Sequence, residues 1–294
     1  MQIHQLEYVI ALEKYRHFSL AANEINVSQS TLSDQIRKLE KELGIELFVR
    51  TTRKVALSSA GEDFLIYAKR ILAEIDKAKQ TMIEHQNLSK GRIRIGAIST
   101  ITHLGITAII ANFQKEYPGI NIEILEANSD KLFEKFQTSE IDVAFITYPY
   151  ISDIDFDFYP VTDDELVVIV GNEHPLAKRE KVSFSELVGE KFLLIKASKG
   201  LQNTLIQACH EAGFNPNIIL ESYHSETICG LVEGGMGISF FSARLARSLL
   251  NTNSQFSIVS LNTSIRRITG LAIPKQNHLL SAKTFRDFVL QHPI

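Results

Sequence analysis

Residues 18–61 read FSLAANEINVSQSTLSDQIRKLEKELGIELFVRTTRKVALSSAG, and this stretch decides the fold of the chain. Apolar residues recur every three or four positions on either side of Asn26 and Val27, which predicts two short helices joined by a tight turn. Ser19 and Ser28 are expected to cap these helices, because a hydroxyl can accept a hydrogen bond from a free N–H of the first turn. Two helices joined in this way are typical of a helix-turn-helix, whose second helix presents its N-terminal residues to base edges.

The second predicted helix has one apolar face and one polar face. The apolar face carries Leu32, Ile36, Leu39 and Leu43, and the polar face carries Gln29, Ser30, Ser33, Asp34 and Arg37. A helix that reads bases needs such hydrogen-bonding side chains on its exposed side. An ordinary helical hairpin with a polar surface is the alternative interpretation of this pattern.

A basic segment follows the two helices. Residues 47–57 have the pattern of two short strands around a Thr-Thr-Arg-Lys tip, and Arg50, Arg53 and Lys54 converge there without a neighbouring acid. A basic loop beside a recognition helix is suited to phosphate or minor-groove contacts, which would make DNA affinity strongly salt dependent. A solvated charge cluster is the alternative.

Together these patterns resemble the N-terminal winged helix-turn-helix of LysR-type transcriptional regulators. The matching segments are highly specific when they are taken together, although no single segment would be specific alone. The resemblance extends more weakly through the rest of the chain. The matching pieces are residues 6–9, 18–22, 27–30, 36–40, 43–44, 47–50 and 57–61.

The resemblance implies that this block binds promoter DNA. Two positions depart from the family pattern, since Ser30 stands where Pro is frequent and Asp34 stands where a basic residue is common. A carboxylate cannot bind phosphate or guanine acceptors, but it can accept a hydrogen bond from cytosine N4. The candidate DNA-binding residues are Ser28, Gln29, Ser30, Thr31, Ser33, Asp34, Arg37, Arg50, Arg53 and Lys54.

The bulk composition is that of a globular protein with two or three domains. The 294 residues are 45% hydrophobic and carry a formal net charge of −3. Net charge therefore does not predict nucleic-acid binding, and the argument for DNA rests on local clustering of charge. No apolar run approaches the roughly 18–20 residues that span a bilayer, and the N-terminus has no secretory pattern, so we expect a cytoplasmic protein.

Two cysteines, Cys209 and Cys229, lie among apolar residues on predicted helices. Two buried structural thiols are the simpler interpretation, because neither has a basic neighbour that would lower its pKa. A thiol–disulfide switch, like that of peroxide-sensing members of the family, is the alternative.

A long helix of about 28 residues is predicted from Ser59 to near Asn87. Ser59 and Glu62 have the spacing of a capping box. Along the helix, apolar residues alternate in steps of four and three, the heptad spacing of a seam between two helices; they are Phe64, Ala68, Ile71, Ile75, Ala78 and Met82. We infer a homodimer formed through this helix, which would match a palindromic DNA site. Packing against the N-terminal domain of the same chain is the alternative.

Beyond a polar break at residues 87–91, strand patterns alternate with helical patterns, which predicts an α/β fold with mostly parallel sheets. The predicted strands cover residues 92–99, 121–127, 142–148, 165–171, 191–196, 217–222, 237–242 and 267–274, and the predicted helices cover 104–117, 131–137, 201–212 and 226–233. The fold class is therefore α/β with an N-terminal winged helix-turn-helix domain rich in α-helix.

The expected domains are a DNA-binding domain over residues 1–58, a linker helix over 59–88 and a regulatory domain over 89–294. The resemblance further implies that the regulatory domain consists of two α/β subdomains like those of periplasmic binding proteins, linked by two crossing strands. The first would use residues 92–161 and 268–294, and the second 162–267.

Ligands of open α/β sheets bind beyond the carboxyl ends of strands, where helix N-termini present free N–H groups. Three segments fit this position, and in the related family they line an effector cleft. The candidate effector-binding residues are Ser99, Thr100, Thr102, Thr147, Ser198 and Gln202. Hydroxyls beside helix N-termini favour a small polar or anionic effector. Simple capping of these helices by Ser and Thr is the alternative.

The sequence contains no motif that predicts a metal site or a catalytic reaction. His103 and His224 have no partners at metal-ligand spacing, and nucleophile-elbow, P-loop and dinucleotide motifs are absent. We therefore expect no cofactor and no enzymatic activity. The leading hypothesis is a regulator that binds promoter DNA as a homodimer or, by resemblance, a homotetramer, responds to a small effector and contacts RNA polymerase. A small-molecule binding module that dimerises through its N-terminal helices, and a redox-sensing regulator, are the alternatives.

Overall fold

The computed structural model describes residues 1–50, 55–86, 91–148, 155–196, 199–250 and 255–294. The chain forms two compact units. The first consists of Met1–Gln86 with Lys135–Glu140, and the second consists of Asn87–Glu134 with Ile141–Ile294.

The first unit contains a helix-turn-helix, as the sequence predicts. Its elements are α1 (Ile3–Tyr15), α2 (Phe18–Glu24), α3 (Gln29–Leu43), β1 (Phe48–Arg50), β2 (Val55–Leu57) and α4 (Ser59–Gln86). Strands β1 and β2 pair antiparallel as a hairpin. The apolar face of α3, formed by Leu32, Ile36 and Leu39, is fully buried in the core of this unit.

Two of the expected helix caps differ from the prediction. Ser28 caps α3 as expected, with its hydroxyl accepting from the Thr31 N–H. Helix α2 instead begins two residues earlier than a Ser19 cap would place it, and His17 occupies the cap position. Ser58, rather than Ser59, caps α4 by accepting from the Gly61 N–H at 3.0 Å. A Cβ on Gly61 would lie only 2.1 Å from the Leu47 carbonyl oxygen, so the start of α4 packs closely against the wing.

The second unit contains a mixed sheet. It is built from β3 (Gly91–Ala97), β4 (Ile120–Glu126), β5 (Val143–Tyr148), β6 (Phe156–Gly171), β7 (Lys181–Val182), β10 (Ser239–Ser242), β11 (Phe256–Leu261) and β12 (Arg266–Pro274). The strand order is β4-β3-β5-β12-β6-β11-β7, and β10 also pairs with β6. A separate parallel pair is formed by β8 (Lys191–Ile195) and β9 (Asn217–Ser222). The helices of this unit are α5 (Ile106–Glu116), α6 (Ser129–Gln137), α7 (Lys199–Glu211), α8 (Ser225–Glu233), α9 (Ala243–Leu250) and α10 (Leu280–Gln291), except that α6 from Lys135 onward belongs to the first unit.

Strand β6 belongs to both halves of the sheet. Its residues 156–165 pair with β12, and its residues 166–171 pair with β10 and β11. All of these pairings, and that of β5 with β12, are antiparallel. The expectation of mostly parallel sheets was therefore wrong, because β6 and β12 run through the sheet in opposite directions.

The two cysteines lie on opposite faces of β6. Cys209 packs in the cluster with Val168 and Val170, whereas Cys229 packs in the cluster with Val167 and Ile169. Successive side chains of a strand point to opposite sides of its sheet. Burial raises the pKa of the Cys209 thiol to about 11 and that of Cys229 to about 12. This geometry keeps the two thiols apart and protonated at neutral pH.

Over the ranges that the structure describes, none of the helices is long and apolar enough to cross a membrane.

Candidate functional site

Two groups of candidate residues can be placed in the structure, one on α3 and one in a cavity of the second unit. On α3, Ser28, Gln29, Ser30, Thr31, Asp34 and Arg37 are exposed and Ser33 is partly exposed. Ser30, Asp34 and Arg37 lie on the side of α3 away from its buried face, and Gln29 lies at the edge that faces α2. The helix therefore presents its N-terminal polar residues to solvent, as a DNA-reading helix must.

Gln29 is held in place by the preceding helix. The Ser19 hydroxyl of α2 donates a hydrogen bond to Gln29 Oε1 at 2.7 Å. An amide has one acceptor oxygen and two N–H donors. This contact uses the oxygen and leaves the two N–H donors of the exposed Gln29 side chain for other partners.

Asp34 and Arg37 lie one helical turn apart on the exposed face. Their closest N–O distance is 3.9 Å, and both side chains are about two-thirds exposed, at 65% and 68%. An exposed pair of this kind contributes about 0–1 kcal/mol. Both side chains can therefore separate to meet DNA at little cost.

The base of the wing is pinned to α3 by Glu40. One Glu40 oxygen accepts from the Leu47 and Phe48 N–H groups at 3.0 and 3.1 Å. The other accepts from Arg50 Nη2 at 2.6 Å, and the Arg50 guanidinium also lies 5.3 Å from the Phe18 ring centre. The expectation that Arg50 has no acidic neighbour was wrong, because the acid is ten residues away in sequence. Arg53 and Lys54 lie outside the described residues.

The second unit contains a cavity of about 340 Å³ at the carboxyl ends of several strands. This volume is within the range of about 300–1,000 Å³ that is usual for small-molecule sites. One wall comes from the segments that follow β3 and β4 and from β5, with Ser99, Thr100, Asn128, Ser129 and Thr147. The other lining residues come from the ends of β8 and β9 and from β12, with Ile195, Lys196, Tyr223, His224 and Arg267.

Buried hydroxyls line the first wall. The Thr147 hydroxyl pairs with that of Thr269 at 3.3 Å, and the Thr147 N–H donates to the Ser129 hydroxyl at 3.3 Å. Thr100 is only 5% exposed, and its hydroxyl has no hydrogen-bond partner within the described part of the chain. An unpaired buried polar group costs free energy, so Thr100 is the hydroxyl that a ligand would satisfy.

Arg267 of β12 is a buried charge that lines the same cavity. It is 8% exposed, and burial lowers the pKa of its guanidinium to about 10, with Asp164 opposing that change. The side chain therefore remains charged at neutral pH. It also lines a much smaller adjoining cavity with Leu166, Leu194, Gln202 and Phe240.

Three of the six candidate effector residues, Ser99, Thr100 and Thr147, thus line the main cavity. Gln202 lines only the smaller one and donates to Glu221 at 2.8 Å. Thr102 is exposed and lines neither cavity. Ser198 lies outside the described residues.

Sequence reasoning missed Ser129, Lys196, Tyr223, His224 and Arg267. Ser129 had a weak signal, as a hydroxyl at the start of a predicted helix. Arg267 had a stronger signal, because a charged residue near the start of an otherwise apolar strand is unusual and indicates a specific role. The remaining three come to the cavity only through the placement of β8 and β9.

His103 joins two parts of the second unit. Its Nδ1 lies 3.0 Å from the Ser248 hydroxyl of α9, and its Nε2 lies 3.5 Å from a Glu226 oxygen of α8. Within the described ranges, no three His, Cys, Asp or Glu side chains are arranged to hold a metal ion. His103 is accounted for by these two contacts.

Both units match models of one protein family. Residues 3–62 match the bacterial regulatory helix-turn-helix protein of the lysR family, and residues 86–293 match the LysR substrate binding domain. The chain belongs to the LysR family of transcriptional regulators. As a LysR-type regulator it binds DNA through the first unit and carries an effector-binding domain in the second.

Individual relatives agree with this assignment. The regulator is 29% identical to the HTH-type transcriptional regulator YybE of Bacillus subtilis over 99% of both chains. It is 33% identical to the hydrogen peroxide-inducible genes activator of Dickeya chrysanthemi over 81% of this chain and 78% of that one. Its fold is similar to that of CbnR in complex with target DNA, with a TM-score of 0.73, 18% identity and 99% coverage of both chains. These relatives are transcriptional regulators, and this LysR-type chain is not an enzyme.

Proposed function

We propose that a small polar or anionic effector binds in the main cavity and controls how this LysR-type regulator engages a promoter. The observation that supports it is the cavity itself, which is lined by residues of the large sheet and of the separate β8–β9 pair and contains the Thr100 hydroxyl, which has no partner among the described residues. A ligand that contacts both groups of residues favours one arrangement of the large sheet and the β8–β9 pair over another. Coupling of this kind is typically about 1–3 kcal/mol, which is enough to change promoter occupancy or polymerase contact.

In this proposal, the N-terminal end of α3 lies in the major groove. Gln29, Ser33 and Arg37 contact bases, and Asp34 accepts from a cytosine amino group. Arg50, Arg53 and Lys54 contact the backbone from the wing, and the Ser28, Ser30 and Thr31 hydroxyls donate to phosphates at the helix start. The ion pair with Glu40 holds the Arg50 side chain near the groove and limits the conformations that it can adopt.

The working form is a homodimer, and by family resemblance a homotetramer, in the cytoplasm, where it meets RNA polymerase at the promoter. The first turns of α4 pack within the first unit, since Ala68 is fully buried and Phe64 lies against its core. Farther along, Ile71, Met82 and Ile83 remain exposed. An exposed apolar stripe on a long helix is suited to a second copy of the same helix.

A gel-shift titration with promoter DNA tests the DNA half of the proposal. Arg50, Arg53 and Lys54 are changed together to Ala, and affinity is measured across salt concentrations. The salt slope should fall by about three, one for each lost phosphate contact. The control changes Lys178, Arg179 and Lys181 to Ala, which removes the same charge from an exposed part of the second unit. An unchanged slope in the first variant would contradict the wing assignment.

The effector half is tested by mass spectrometry of small molecules retained by the purified full-length regulator. A molecule that is bound by the wild type and changes its promoter footprint is the expected result. The matched variant is Thr147→Val, which keeps the shape of a cavity residue and removes its hydroxyl. A footprint that no retained molecule alters would count against effector control.

A further inference from the structure

The charge balance around Arg267 is incomplete. Its neighbour across the strand pair is Asp164, but the oxygens of Asp164 accept from the Glu165 N–H at 2.9 Å and the Arg244 N–H at 2.8 Å. Among the described residues, Asp164 acts on the Arg267 guanidinium through its charge alone, and no hydrogen bond reaches this guanidinium. The Asp164 carboxylate thus accepts from the backbone at the start of α9 and within its own strand. Arg267 is left as a buried cation whose five N–H donors are unused.

A second arginine on a strand of the same unit shows what a purely structural arginine looks like. Arg94 donates to both oxygens of Asp142 through Nε at 3.2 Å and Nη2 at 2.8 Å. Asp142 is 1% exposed, so the pair is mutually satisfied. A buried charge is normally paired and hydrogen-bonded, because an isolated one costs several kcal/mol. Arg267 breaks this rule at the wall of a cavity.

Thr100 lines the same cavity as Arg267 and also has an unmet hydrogen-bonding capacity. Within the described part of the chain its buried hydroxyl lacks a partner, and it can donate one hydrogen bond and accept others. A planar guanidinium offers two parallel N–H donors that match a carboxylate. One ligand oxyanion group could therefore satisfy the arginine and the hydroxyl together.

We propose that Arg267 and Thr100 form the anion-binding end of the effector cavity, and that the effector is an organic monocarboxylate with an apolar body. This inference rests on the proposed function, whose effector site it specifies. The apolar body is required by Ile98, Ile195 and Ala127, which also line the cavity. The smaller cavity beyond Arg267 extends this apolar surface. A single charge is favoured because Arg267 is the one buried cation among the described residues of this lining. Lys131 and Lys196 also line the cavity, but Lys131 is paired with Glu134 at 2.7 Å and Lys196 is exposed, and Glu126 adds a negative charge.

The size of the cavity separates this ligand from simple inorganic species. A water molecule has a share of about 30 Å³ in the liquid, so 340 Å³ holds much more than hydrogen peroxide or a sulfate ion. An inorganic anion would neutralise Arg267 but leave the apolar walls uncovered. The body of the ligand is therefore part of the recognition.

The first experiment compares the ligand-free melting temperatures of Arg267→Met and Arg94→Met in the full-length regulator. Removing an unpaired buried charge is neutral or stabilising, whereas breaking a satisfied buried pair is strongly destabilising. Arg94→Met should lower Tm by roughly 6–12 °C, while Arg267→Met should leave Tm unchanged or raise it. A fall in Tm for Arg267→Met as large as that for Arg94→Met would make Arg267 structural and overturn the proposal.

The second experiment measures ligand-induced Tm shifts at constant ionic strength. The probes are butyrate, hexanoate and benzoate, each paired with its uncharged amide, together with sulfate and phosphate. Each is used at about 10 mM, tenfold above a weak ~1 mM Kd. At least one carboxylate should raise the Tm of the wild type while its amide does not. Arg267→Met should weaken that binding at least tenfold, and Thr100→Val by about fivefold.

Each other result overturns the proposal. Equal shifts by acids and amides, or carboxylate binding unchanged in Arg267→Met, would remove the anionic end. Shifts by sulfate or phosphate alone would show an inorganic anion site, and no carboxylate shift at all would exclude this ligand class. Promoter binding by gel shift is followed in the same variants. If promoter binding persists in these variants and an uncharged ligand stabilises the wild type, the proposed effector control is supported. In that case only the inference that the effector is a carboxylate fails.

Discussion

The polar side chains of the α3 face and those of the cavity are in opposite states. On α3 they are exposed and already paired with neighbours, as Gln29 is with Ser19 and Asp34 is with Arg37. In the cavity, Thr100 and Arg267 are buried, and among the described residues neither side chain has a hydrogen-bond partner. The exposed polar side chains of α3 cost little free energy when no DNA is bound, because water solvates them. The buried polar groups of the cavity lower the stability of the folded protein until a ligand binds them. The comparison predicts that substitutions on the DNA face change affinity, while ligands of the cavity change stability.

Glu40 is the exception within the first unit, and changing it should have the largest effect. Its side chain is 10% exposed and accepts from two backbone N–H groups and from Arg50. Glu40→Ala leaves these three donors unmatched and should lower the free energy of unfolding by about 3 kcal/mol or more. Chemical denaturation measures this loss. Glu7→Ala, at an exposed position of α1, is the control, and an equal effect of both changes would refute the pinning role of Glu40.

Asp34 should affect specificity without affecting stability. If it accepts from cytosine N4, Asp34→Ala should reduce the preference for one base pair of the operator by about 1–3 kcal/mol. Competition binding with single-base variants of the site measures this preference. The melting temperature should stay within about 1 °C, because the side chain is exposed and its pair with Arg37 is weak. A uniform gain in affinity for every sequence would show instead that Asp34 only repels the backbone.

The two cysteines predict a pH dependence for the second unit. Burial raises the thiol pKa values from 9.0 to about 11 and about 12. Below pH 9 the folded and unfolded states both hold the protons, so stability does not depend on these groups. Above pH 9 the unfolded state releases them first, so stability falls until the folded pKa values are reached, by about 1.4 kcal/mol per unit for each thiol. The Cys209→Ala/Cys229→Ala double variant should lose stability less steeply between pH 9 and 11 in urea titrations.

The same thiols bear on the redox alternative. A thiol whose pKa is raised is a poor nucleophile towards peroxide at neutral pH. Treatment with hydrogen peroxide should therefore leave the two cysteines reduced and promoter binding unchanged, as mass spectrometry and gel shift can check. A disulfide between Cys209 and Cys229 would contradict the packing of these residues on opposite faces of β6. This is the smallest effect among these predictions, because neither the thiols nor promoter binding is expected to change.

The sequence predicted best what depends on close neighbours. The Ser28 cap, the buried face of α3 and the length of α4 follow from residues within one or two helical turns of each other. Residues 156–164 of β6 were missed because Pro160, Asp163 and Asp164 are residue types that are disfavoured in strands. The Glu40–Arg50 contact was missed because it needs the wing to fold back on α3.

The cavity shows the limit of sequence reasoning more clearly. Ser99, Thr100 and Thr147 could be chosen because each lies at or just beyond the carboxyl end of a strand. Arg267 could not be chosen by that rule, because it lies near the beginning of β12 and reaches the cavity only where β12 crosses beside β6. Thr102 was chosen by the rule and is exposed instead, because the chain turns between Thr100 and α5.

Strand β6 also decides how the second unit can be divided. One continuous strand supplies hydrogen bonds to β12 with its first part and to β10 and β11 with its last part. A protein fragment that ends anywhere within β6 would leave an unpaired strand edge in both pieces, and exposed edges invite aggregation. The two halves are therefore expected to melt in a single transition, and neither should be obtainable as a separate folded fragment for screening ligands.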